Sequence, residues 1–76
     1  MRYGAVSIDL ETMGGTPVFV GTRVPIQTLF DFIEGGDNLE TFLQEFPTVA
    51  KNQAIEVLEM AKKTVSIEKI LSENFA

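Results

Sequence analysis

The chain has 76 residues, 45% of them apolar, with six basic side chains against eleven acidic ones and a net charge of −5. That length holds one domain, 1–76, and buries only roughly 60% of the surface its unfolded chain would expose. With neither cysteine nor histidine, disulfides are excluded and only carboxylates remain as metal ligands, so the expected support for so small a core is association, most simply a homodimer.

Met1-Arg2-Tyr3-Gly4 opens no apolar signal segment, and no run approaches membrane-spanning length. With no cysteine in use, the expected location is cytoplasmic. The negative charge disfavours non-specific attraction to nucleic acid or anionic lipid and favours basic partners. It is concentrated between Asp31 and Glu45, where Asp31, Glu34, Asp37, Glu40 and Glu45 occur without a lysine or arginine. A solvated acidic face is the plainer reading of that run.

In chain order, residues 3–10 alternate, with Val6, Ile8 and Leu10 on one side and Ala5, Ser7 and Asp9 on the other, which predicts a strand. Met13-Gly14-Gly15-Thr16 reads as a turn and Pro17–Val20 as a second strand, together an N-terminal β-hairpin. Such a hairpin is marginal in isolation. Val6, Ile8, Leu10 and Val18 therefore form the expected dimer face, burying on the order of 1,200 Å² or more.

The joint Gly21-Thr22-Arg23-Val24-Pro25 follows. Gly21 permits a turn, Val24 is held extended by the proline after it, and Pro25 suits a first helical turn. Arg23 carries a guanidinium suited to a carboxylate or a phosphate. An ion pair with Asp31 or Glu34, in its own subunit or the neighbour, is the plainer expectation.

Three amphipathic segments come next. Ile26, Leu29, Phe30 and Ile33 share one spacing, repeated by Leu39, Phe42, Leu43 and Phe46 and by Ala54, Val57, Leu58 and Ala61, which predicts three helices. Gly35-Gly36 ends the first, Asp37 with Glu40 forms a capping box for the second, and Val49 points inward before the third. Ile67, Ile70 and Leu71 predict a fourth helix or a continuation of the third. Phe32 and Phe75 lie off these stripes and are available to an interface.

The fold expected is mostly α: a three- to four-helix bundle with a helix-turn-helix core, homeodomain-like or winged-helix-like, and an N-terminal β-hairpin. Residues 1–24 form the hairpin and joint, and 25–76 the helical region. Helices 39–46 and 51–63 make the helix-turn-helix pair. Lys51 would clamp a phosphate, Asn52 and Gln53 would read adenine, and Lys63 and Arg23 would add charge. Glu56 and Glu59 share the outward face with Asn52 and Lys63, at a cost among phosphates. No histidine is present to serve as a base, and the carboxylates lie on solvated helix faces, so no catalysis, cofactor, metal site or small-molecule substrate is expected.

Met13-Gly14-Gly15-Thr16-Pro17-Val18-Phe19, Gly21-Thr22-Arg23-Val24-Pro25, Gly35-Gly36, Phe42-Leu43-Gln44-Glu45-Phe46-Pro47 and Gln53-Ala54-Ile55 together resemble the small prokaryotic family known as domain of unknown function 433. The resemblance spans nearly the whole chain. It implies a helix-turn-helix core behind an N-terminal hairpin, usually dimeric, and in several members an antitoxin encoded beside a PIN-like nuclease. Ala50 stands at the cap of the third helix, where the family often has serine or threonine, which weakens that cap. Two functions are thus expected in competition. One is an antitoxin that binds operator DNA and neutralises a PIN-like nuclease toxin. The other is an acidic protein-interaction and dimerisation module without DNA contact.

Overall fold

The computed structural model describes residues 2–11 and 13–75, and the side chains at these positions other than Tyr3, Met13 and residues 65–75. The chain is mostly helical. Its elements run β1 (Arg2–Tyr3), β2 (Val6–Ser7), a 3-10 turn at Met13–Gly15, β3 (Val18–Phe19), α1 (Ile26–Glu34), α2 (Leu39–Glu45) and α3 (Lys51–Phe75).

The strand expected over 3–10 is broken by Gly4, whose φ of +55° turns the chain back on itself. β1 pairs antiparallel with β2, Arg2 opposite Ser7, and β2 with β3, Val6 opposite Phe19, giving a sheet ordered β1-β2-β3. The burial side also differs from the alternation. Ala5 is buried, and its carbonyl accepts the Val20 N–H at 2.8 Å, whereas Leu10 is 83% exposed. The alternation fails because the strand ends at Ser7, so Leu10 sits in the loop beyond it.

The sheet continues into the joint. Phe19 N–H donates to Val24 O at 3.0 Å and Ile26 N–H to Pro17 O at 3.0 Å, so Val24–Ile26 folds back along β3. Pro25, extended at φ −63° and ψ 141°, is the residue before α1 rather than its first, and the sheet supplies the acceptor for the helix's first N–H. At the other end, Gly36 at φ +92° closes a Schellman motif, with Asp37 N–H on Phe32 O and Gly36 N–H on Ile33 O.

α2 starts one residue later than the expected capping box. Asn38, not Asp37, is the cap, and its Oδ1 accepts both the Thr41 N–H at 2.9 Å and the Thr41 hydroxyl at 3.0 Å. Asn38→Ala removes that acceptor and should cost about 1 kcal/mol. Urea denaturation of the two chains measures it, and an unchanged midpoint would contradict the assignment.

The core is small and aromatic. Phe19, Leu29 and Phe42 are fully buried, with Ala5, Val49, Ala54 and Val57 around them. Phe42 lies 5.9 Å from Phe19, 5.6 Å from Phe32 and 5.2 Å from Phe46 between ring centroids. Phe32 is therefore a core partner and not the free interface residue its off-stripe position suggests. Ile33, expected on the inward stripe, is 41% exposed because it falls in the last turn of α1. The segment around Ile67, Ile70 and Leu71 continues α3 as one helix. The side chains of these residues and of Phe75 lie outside those described. Among the described residues, no helix is long and apolar enough to cross a membrane.

Candidate functional site

Two local structures meet at the start of α3. The first is the Gly-Thr-Arg turn. Gly21 takes φ +78°, Thr22 N–H donates to Phe19 O at 3.0 Å, and the Thr22 hydroxyl donates to Phe19 O at 2.9 Å while accepting the Val24 N–H at 3.1 Å. The turn is thus closed by its backbone and one hydroxyl. Arg23 projects exposed from it. Among the described residues its side chain makes no ion pair, and the expected partners Asp31 and Glu34 within the chain do not hold it; Asp31 accepts instead from Gln27 Nε2 at 3.0 Å.

The second is the first turn of α3. Ala50 offers no side-chain oxygen as a cap, and Gln53 supplies the missing function. Its Oε1 accepts the Ala50 N–H at 2.9 Å, and its Nε2 donates to Val20 O at 2.9 Å. Both ends of the amide are therefore committed, one to the helix start and one to the Gly-Thr-Arg turn. That use fixes the amide against two backbone groups, so Gln53 is not free to turn towards a base as adenine recognition needs.

The remaining candidates separate. Lys51 pairs with Glu40 of α2, Nζ to Oε1 3.2 Å, with both side chains more than half exposed. Such a pair is worth little in water, yet it sets a carboxylate beside the charge Lys51 could offer a phosphate. Asn52 is exposed and lines a cleft of about 300 Å³ with Arg2, Gly4, Val20, Gln53 and Glu56. Lys63 is exposed three turns further along α3. Arg2 Nε donates to Gly4 O at 3.3 Å.

The Gly4 turn packs directly on α3: a Cβ at Gly4 would fall 2.7 Å from Glu56 Oε1. The hairpin therefore flanks the same face of α3 that carries Asn52 and Glu56. Sequence spacing could not show that contact, since nothing local links residues 4 and 56.

The four residues expected at the dimer face are not presented as one surface. Val18 is buried within the chain, Val6 and Ile8 are half-buried with Val6 packed against the core, and Leu10 stands exposed. The Leu10 loop is ordered by Gly15 N–H on Asp9 O at 3.1 Å and Glu11 N–H on Asp9 Oδ1 at 2.9 Å.

No curated protein and no solved structure matches the chain. A family model described as "Protein of unknown function (DUF433)" matches residues 6–61. The match runs from the first residue of β2 to Ala61, a half-buried residue on the core-facing stripe of α3. It thus takes in the Gly-Thr-Arg turn, the Asn38 cap, the aromatic core and the Gln53 clamp, and by this match, which covers well over half of its length, the chain belongs to that family.

Proposed function

We propose that the chain is a non-catalytic helix-turn-helix protein of the antitoxin kind, a cytoplasmic homodimer that acts by binding and masking a basic PIN-like nuclease. α2 and α3, joined through Phe46–Ala50, are the helix-turn-helix pair, with α1 as the supporting helix. The observation that carries the protein-binding emphasis is the commitment of the would-be DNA residues. Gln53 is spent on two backbone groups and Lys51 on Glu40, while Glu56 and Glu59 remain exposed. A face of that charge suits a basic protein better than a phosphate backbone.

Operator binding is the second reading, and Arg23, exposed and without an ion pair among the described residues, favours it. Under that reading Arg23 contacts phosphate, with Asn52 and Lys63 completing the contact. Titrating the protein against its own promoter and random duplexes at two salt concentrations, with and without the neighbouring nuclease, separates the two. The expected result is tight nuclease binding and no measurable affinity for random DNA, because two chains of −5 repel the duplex. Glu56→Gln with Glu59→Gln should raise general DNA affinity. Arg23→Ala should leave stability within about 0.5 kcal/mol, and it should lower promoter affinity and the salt slope by about 1 only if the operator reading holds. Tight wild-type binding to random duplexes would refute the charge argument.

A further inference from the structure

The cleft beside the first turns of α3 has a donor set that the fold leaves unused. Its volume is about 300 Å³, at the lower end of small-ligand sites. Arg2 and Gly4 come to it from β1 and the turn after it, Val20 from the end of β3, and Asn52, Gln53 and Glu56 from α3. No local pattern announces such a site, since only the folded chain brings these three segments together. Two features hold the cleft ready. Gln53 ties α3 to Val20 O at 2.9 Å, so these two walls keep their spacing before any ligand arrives. Gly4 leaves the third wall bare: a Cβ there would fall 2.7 Å from Glu56 Oε1, 3.1 Å from its Cδ and 3.3 Å from Oε2. Any side chain at that position would press into the carboxylate.

The charges are an independent observation. Arg2 and Glu56 are opposite in sign and line one cleft, yet neither is ion-paired among the described residues. Arg2 spends its Nε on Gly4 O at 3.3 Å, which leaves both Nη groups for another acceptor. The side chains of Glu56 and Asn52 have no hydrogen-bond partner among the described residues. A lone anion in this cleft would face Glu56, and a lone cation would face Arg2. A ligand that carries both charges satisfies both groups.

We propose that this cleft binds a small zwitterion, an α-amino acid, with its carboxylate on Arg2 and its ammonium on Glu56. The guanidinium fork suits a carboxylate, and the Glu56 oxygens accept from the ammonium. Asn52 serves either group, since its amide both donates and accepts. The site stands apart from the reading of α3 as a nuclease or operator surface. It is also more than a family feature, because Arg2 and Gly4 precede the matched segment 6–61.

L-alanine is the probe, since it carries both charges and little else. In a heteronuclear NMR titration it should shift the amide signals of Val20, Asn52 and Gln53 saturably. With so few contacting atoms the expected Kd is about 1–10 mM. Propionate lacks the ammonium and ethylamine lacks the carboxylate, so each should bind at least about tenfold more weakly. Glu56→Gln and Arg2→Gln each remove one charge from an exposed position. Both variants should stay folded and raise the Kd for L-alanine about tenfold. Glu59→Gln, exposed on α3 outside the cleft, should bind as the wild type does. The proposal is overturned by the absence of a saturable shift up to about 100 mM L-alanine. Equal binding of propionate or ethylamine, or a Kd unmoved by either cleft variant, would overturn it as well.

Discussion

Phe42→Ala should cost the domain about 3–5 kcal/mol, the largest loss of any single truncation in its core. Phe42 is fully buried and its ring meets those of Phe19, Phe32 and Phe46. Truncating a buried phenylalanine costs about 3–5 kcal/mol, through lost transfer energy and the cavity left behind. A chain of this size has a total stability of roughly 4–11 kcal/mol. The loss therefore removes about a quarter of the stability at the least and exceeds all of it at the other end of the range. Phe42→Leu keeps most of the volume and should remain folded, at a cost nearer 1.5 kcal/mol or slightly above. Far-ultraviolet circular dichroism through a urea titration reads both. A cooperative transition for Phe42→Ala within about 1 kcal/mol of wild type would show that the aromatic cluster is not the centre of the core.

The second large effect belongs to Gln53. Gln53→Ala abolishes two hydrogen bonds at once, leaving the Ala50 N–H and the Val20 carbonyl without their partners. At roughly 0.5–1.5 kcal/mol for each bond, the expected loss is about 2 kcal/mol. Gln53→Glu keeps an acceptor for the Ala50 N–H but has no donor for Val20, so it should lose about half as much. A residue serving only DNA would leave the urea midpoint of both variants where it was. The graded loss is thus a direct measure of the structural role.

The helices were legible and the connections less so. Periodicity located α1, α2 and α3 because each carries one apolar face at helical spacing, and Gly35-Gly36 marked the end of α1 through a left-handed residue that only glycine adopts readily. The cap of α2 shifted by one residue because Asp37 and Asn38 are both competent acceptors, and only geometry selects between them. The sheet was partly hidden, since strands of two residues are too short to produce an alternation. The site was least legible. A glutamine three residues after an uncapped helix start is a signal for one of the two bonds of Gln53. Its bond to Val20 joins residues 33 apart, and no local pattern reports that. The same holds for Glu56 against Gly4.

That bond between Gln53 and Val20 also orders events in time. During synthesis the sheet residues and the Gly-Thr-Arg turn are made first. Strands this short do not hold without a packing partner. The residue that ties the turn to α3 comes 33 positions later, which at ribosomal speed is about 2–7 s. Small domains rich in local helical contacts fold in microseconds to milliseconds once their parts are present. The growing chain therefore waits far longer for Gln53 than it needs to fold, and the tie between the Gly-Thr-Arg turn and α3 stays unmade until α3's first turn has been synthesised. Folding is set by the pace of translation, and whatever protects the nascent sheet from other exposed strands must act through those seconds.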